Sequence, residues 1–170
     1  IPGGRARKFE HEGFMFDMGP SWYWMPDVFE QYFAQFGKKP SDYYELKRLD
    51  PSYAVVFGEG DTMEVPADMQ ELEAMFERYE PGSSAKLRQF LKEAQYKYEV
   101  AMNEFVQKPA HSIMEFADVR ILMSLFRLQM FTSISRHILK LFKHEQLIQL
   151  LEFPVLFLGA TPENTPALYS

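Results

Sequence analysis

With 170 residues, of which 46% are hydrophobic, the chain fits one ordinary domain, can bury a sizeable core and is too apolar for wholesale disorder. It contains no cysteine, which excludes disulfides, thiolate metal sites and cysteine nucleophiles. The net charge of −6 is segregated: residues 1–106 hold 12 basic and 19 acidic side chains, whereas 107–144 hold six basic ones (Lys108, Arg120, Arg127, Arg136, Lys140, Lys143) against only Glu115 and Asp118. A basic, apolar stretch inside an acidic chain suits an anionic membrane surface better than nucleic acid, although a solvated helix face is the commoner cause. The start of the chain has no apolar run of the signal-peptide kind, and no stretch of about twenty apolar residues exists to span a bilayer.

In chain order, KFEHEGFMFD alternates polar and aromatic positions around Glu12-Gly13 and predicts a hairpin. Pro26 and Asp27 open an amphipathic helix in which Val28, Phe29, Tyr32, Phe33 and Phe36 share one face, and Gly37 ends it. Tyr53 to Phe57 and Thr62 to Val65 predict a second hairpin, connected through Gly58 to Asp61. Asp68 caps a helix with a Met69, Leu72, Met75, Phe76 stripe, which Pro81-Gly82 stops. The longest helix is expected from Ser83 or Ser84 to about Gln107, with Leu87, Phe90, Leu91, Ala94, Tyr98 and Phe105 inward. Two or three more helices follow from about Ser112 to Phe153, interrupted by Pro154 and Gly159. The plan is α+β: two small hairpins, then a mainly helical layer.

Composition adds a hint about ligands. The 16 Phe, 9 Tyr and 10 Met suit a surface that meets a large apolar molecule, with an aromatic-rich core as the plainer explanation. His11, His111, His137 and His144 lack close metal-ligand spacing and read as surface or core residues, so no metal site is expected. Gly3, Gly4 and Arg5 offer unhindered backbone amides beside a guanidinium, a combination suited to a pyrophosphate.

The wider stretch GGRARKFEHEGFMFDMGPSWYWMP resembles the second part of the flavin-binding signature of carotenoid desaturases of the phytoene-desaturase type. In that family GGR is followed by a G-F-x-F-D strand and by a D-x-G-P turn close to the flavin. ELKRLDPSYAVVFGEGDTMEVPAD looks like the family's hairpin bordering the substrate region, ERYEPGSSAKLRQFLKEAQYKYE like the helix after it, and EFPVLFLGATPENTPALYS like a segment near the substrate tunnel. The likeness therefore runs over essentially the whole chain. The motif marks the superfamily, which includes amine oxidases and retinol saturases, more firmly than it marks the substrate.

The resemblance implies FAD as cofactor and a long polyene hydrocarbon as substrate, dehydrogenated on saturated carbons. Gly3, Gly4 and Arg5 would hold the diphosphate or ribityl side, Gly19, Pro20 and Ser21 would approach the isoalloxazine, and Asp17 would fix the turn. Glu115, in KPAHSIMEFADVR, is the matching acid or base, although Met114 and Asp118 stand where the family carries basic residues. Residues 1–26 would belong to the flavin-binding domain and 27–170 to a substrate-binding domain. The family's G-x-G-x-x-G fingerprint does not occur here, so the chain is expected to be an internal piece of a longer flavoenzyme, inactive and weak in FAD binding when isolated, and able to dimerise through bared Phe- and Met-rich faces. The expected location is cytoplasmic, peripherally on the membrane. A carotenoid isomerase or ketolase-like oxidase, a retinol saturase-like enzyme, and a free-standing helical lipid- or membrane-binding module are the alternatives.

Overall fold

The structure, a computed structural model, describes residues 4, 7–19, 23–102 and 129–170. It is α+β: among the described residues, five α-helices and two separate two-stranded antiparallel sheets. Contacts group the chain into two compact units, residues 1–47 and 48–170.

The first unit opens with strands β1 (Arg7–His11) and β2 (Phe14–Met18), paired so that Arg7 faces Met18 and His11 faces Phe14. Glu12 and Gly13 make the two-residue turn with φ of 50° and 83°. This mirror-image turn matches the natural twist of a hairpin, and glycine adopts its second position without a Cβ penalty. Alternation gathers Phe9, Phe14, Phe16 and Met18 on one face, where all four remain exposed.

Helix α1 (Pro26–Ala34) starts on a proline, whose fixed φ and missing N–H suit a first helical position. It ends in a double bond pattern: Gly37 N–H donates to Ala34 O and Lys38 N–H to Phe33 O, each at 3.0 Å, with Gly37 left-handed at φ 66°. The expected inward stripe is only partly realised. Phe33 is half-buried, but Val28, Phe29, Tyr32 and Phe36 are exposed, because one short helix and the turn at Pro40–Asp42 offer too little surface within this unit to cover them. The aromatic rings satisfy one another instead: Tyr23 stacks on Phe29 at 4.7 Å and Phe33 lies 4.9 Å from Tyr43.

The second unit begins with β3 (Tyr53–Gly58) and β4 (Asp61–Val65), in register from Tyr53 opposite Val65 to a bulge near Val56 and Gly58. Met63 and Val65 are buried, and Tyr53, Val55 and Phe57 pack against the same core. Asp68 caps α2 (Met69–Tyr79), its carboxylate accepting from the N–H of Gln70 at 2.8 Å and of Glu71 at 3.1 Å. Met75 and Phe76 are buried; Met69, in the first turn, is exposed rather than part of the stripe.

Helix α3 (Ser83–Val100) follows Gly82, and the Glu77 carboxylate supplies its cap by accepting from Gly82 N–H at 2.6 Å and Ser84 N–H at 3.1 Å. Leu87 and Phe90 point inward as expected, whereas Leu91 and Tyr98 are exposed and Lys97 is buried. The phase explains this: Leu87, Phe90, Ala94 and Lys97 follow one 3-4-3 spacing, and Tyr98 falls one position off it. The expected continuation to Gln107, Phe105 included, lies outside the described residues.

Ser133 caps α4 (Ile134–Leu141), and α5 (Glu145–Glu152) runs into a 3₁₀ stretch over Phe153–Leu158 that left-handed Gly159 ends. The core joins β4, α2, α3, α4, α5 and Ala167, with Phe76 edge-on to Phe142 at 5.7 Å. Glu80 bolts three of these elements together. One of its carboxylate oxygens accepts from Lys86 Nζ at 2.6 Å, the other from the N–H of Lys143 at 2.7 Å and of His144 at 2.9 Å. Burial pushes its pKa up, but the Lys86 ammonium and the two N–H donors win and hold it down at about 2.

Candidate functional site

The hairpin register brings the two glycine-bearing segments of the first unit to one end. Because Arg7 faces Met18, Gly4 precedes β1 and Gly19 follows β2 at the open end, opposite the Glu12-Gly13 turn. Both glycines have positive φ, 51° and 135°, in the region where side chains are strained. Nothing lies within 4 Å of where a Cβ on Gly4 would stand, so its backbone is open to close approach by a ligand. Asp17 lies opposite Lys8 in the register, on the hairpin face away from the Phe9 and Phe16 rings. The other predicted positions, Gly3, Arg5, Pro20, Ser21 and Glu115, lie outside the described residues.

A hollow of about 990 Å³ in the same unit is lined by Tyr23, Glu30, Lys38, Lys39, Tyr44 and Leu46 among others. On it the Tyr23 and Tyr44 hydroxyls share a 2.5 Å hydrogen bond. Desolvation, then that bond, push the Tyr23 hydroxyl up to about 12, so it stays protonated at any ordinary pH.

The second unit holds a buried polar network that sequence reasoning did not find. Lys97, 2% exposed, donates to Ala167 O at 2.6 Å, to Ser170 Oγ at 2.6 Å and to Gln129 Oε1 at 3.3 Å. All three ammonium hydrogens thus have acceptors, the condition for burying such a group. Burial pushes its pKa down, and Glu93, one turn earlier, opposes that. Glu93 Oε2 also lies 3.1 Å from Nε2 of buried His137, a charge contact outside aligned hydrogen-bond geometry. His137 stacks on Phe90 at 5.8 Å; burial, and then the Lys97 ammonium, push its pKa down and favour the neutral ring. The available signal was helical phase, since Lys97 falls on the Leu87–Phe90 face, but a lysine there reads as solvent-facing until its partners are known.

Beside this network is an apolar cavity of about 240 Å³ walled by Leu72, Phe90, Leu91, Leu151, Val155 and Tyr169, among others. Among the described residues, no group of three or more His, Asp or Glu is placed to hold a metal ion, and no helix is long and apolar enough to cross a membrane. In the expected basic amphipathic stretch, the described helix α4 turns Ile134 and Ile138 into the core and leaves Arg136, Leu139 and Lys140 exposed. Arg120 and Arg127 lie outside the described residues.

The sequence that folds into this hairpin and the mainly helical second unit matches a known family along nearly its whole length. The model of the flavin containing amine oxidoreductase family matches residues 2–164, and the chain belongs to that family. Within it, the chain is 43% identical over 169 residues to a carotenoid 3,4-desaturase of Haloarcula japonica, covering 99% of this chain and 34% of the relative. It is 35% identical over 168 residues to a 4,4'-diapophytoene desaturase (4,4'-diaponeurosporene-forming) of Staphylococcus aureus, again covering 99% of this chain and 34% of the relative. The chain thus spans about a third of the length of these curated relatives.

Proposed function

We propose that this chain is the substrate-facing layer, together with one wall of the flavin site, of an FAD-dependent desaturase that dehydrogenates a long polyene hydrocarbon in carotenoid biosynthesis. The observation that carries the reading is similarity to two carotenoid-type desaturases along 99% of the chain. Gly4, with open space around its backbone, and positive-φ Gly19, following the other strand, support it, because a cofactor's phosphates need bare backbone nearby. These residues fit FAD, which when bound supplies the acceptor for the hydrogen removed from the substrate.

On this reading residues 1–26 belong to the flavin side, with Gly3, Gly4 and Arg5 at the diphosphate or ribityl chain and Gly19, Pro20 and Ser21 near the ring. Residues 27–170 bind and align the hydrocarbon and exclude water. Glu115 is assigned a proton-holding role near the reacting carbons. Peripheral docking on an anionic membrane is part of the proposal, supported by exposed Leu139, Arg136 and Lys140 on α4 and exposed Phe131 shortly before it. Flotation with anionic vesicles tests that part, and absence of binding refutes it.

The function itself is tested by incubating the intact gene product with FAD and phytoene and following absorbance and product mass. Red-shifted absorbance with loss of hydrogen in pairs supports a desaturase. Isomerisation without mass change, or reaction only with retinol, points to another member of the family. Arg5→Ala should lower flavin retained per protein several-fold, reflecting loss of a charge-assisted bond to phosphate.

A further inference from the structure

We propose that the 240 Å³ cavity of the second unit receives an unfunctionalised hydrocarbon terminus of the substrate, and that Lys97 is the residue positioning one of its walls. This rests on the desaturase reading above and deepens it, by naming which part of the ligand is held and what holds the holder.

The lining decides the chemistry. Leu72, Phe90, Leu91, Leu151 and Val155 are among the walls, and of the lining residues only Tyr53, Tyr169 and Ser170 carry a polar side chain. A charged or strongly polar group would lose its water without gaining enough partners, whereas a hydrocarbon gains dispersion contacts that an empty hollow forfeits. An apolar cavity of about 150 Å³ accepts benzene, so by the same ratio 240 Å³ accepts about ten carbons. That is the size of a branched chain end, far smaller than a whole polyene, so the remainder would leave through the partly open rim beside Leu91 and Tyr169, both exposed in part.

The wall carrying Tyr169 and Ser170 is the short 3₁₀ turn Ala167–Tyr169 and the residue after it. It is held to α3 by Lys97, through Ala167 O and Ser170 Oγ, and to the segment before α4 by Ala167 N–H on Thr132 O at 2.7 Å. A buried ammonium is costly, and one with all its hydrogens engaged fixes the separation of the groups it joins. Lys97 touches none of the cavity space itself, so its influence on the ligand passes through the turn.

The test uses the intact protein with methyl-labelled Leu and Val, and geraniol, whose ten-carbon branched chain can enter while its single hydroxyl stays at the open rim, as soluble probe. Saturable shifts of the Leu91, Leu151 and Val155 methyls are expected. Leu91→Phe, filling the rim, should weaken geraniol about tenfold, the equivalent of one to two methylenes of lost space. Leu151→Ala, enlarging the hollow, should keep binding. In turnover, Leu91→Phe and Lys97→Met should raise KM with kcat little changed, and Lys97→Arg should recover most of the loss. Absence of saturable shifts in the folded wild type, or equal affinity in Leu91→Phe, overturns the cavity as a site. A fall in kcat at constant KM in Lys97→Met, or no recovery in Lys97→Arg, overturns the positioning role. Geraniol binding without any desaturation would refute the desaturase reading and leave the cavity standing. Desaturation with KM unmoved by Leu91→Phe would do the reverse.

Discussion

Glu80 offers the sharpest test of how the second unit is held together. Its carboxylate joins the end of α2 to Lys86 in α3 and to the backbone entering α5, and its side chain is only 13% exposed. A pKa moved from 4.5 to about 2 corresponds to a ceiling on the order of 3 kcal/mol of stability, and solvent screening brings the expected value to about 2 kcal/mol. Because the folded pKa is depressed, this stability is fully present above the ordinary carboxyl pKa and is lost as pH falls from about 5 towards 2. Glu80→Ala, which removes the carboxylate and strands two N–H donors, should cost about 2–3 kcal/mol at pH 7. Glu80→Gln keeps one oxygen for the Lys143 and His144 N–H groups but loses the ion pair, so about 1 kcal/mol is expected. Urea unfolding of the intact protein, followed by helix signal from pH 7 to pH 3, measures both. The gap between wild type and Glu80→Ala should narrow steadily on acidification. A gap independent of pH would show that packing, not the charged carboxylate, sets the cost, and would refute the reasoning.

Phe76→Ala should destabilise by about 3–5 kcal/mol in the same assay, since a fully buried ring packed on Phe142 leaves a cavity. Asp68→Ala should cost about 1 kcal/mol by removing the α2 cap, with Asp68→Asn close to wild type; similar losses in both would argue against the cap. For His137 the folded pKa is depressed, so protons bind the unfolded chain first and stability falls as pH drops below about 6.5. His137→Gln should flatten the melting-temperature profile between pH 7.5 and 5.5, whatever its offset at pH 7.5.

Local pattern was enough for much of the chain. Alternation around Glu12-Gly13, the Tyr53–Val65 hairpin, the Asp68 cap and the Gly37 stop are dictated by backbone sterics and nearest neighbours, which a linear sequence displays in full. The same linear pattern carried the family, because the glycine, arginine and aspartate motif lies within one short stretch. Burial could not be read that way. Whether Tyr32 or Phe36 is covered depends on what lies opposite, and amphipathic spacing is silent about partners.

Lys97 marks the same boundary from the other side. Its helical phase was visible, but its partners Ala167 and Ser170 lie seventy or more residues onward, and only the return of the chain past α4 brings their oxygens to the ammonium. The segments carrying Gly4 and Gly19 likewise leave the same hairpin end through strand register rather than through adjacency in the chain. The sequence alone determined most of the described elements and the family they belong to, because those depend on short-range sterics and motif spacing. Only the tertiary structure decided which polar groups are buried, what satisfies them and where an apolar cavity is left, because those depend on contacts that chain separation conceals.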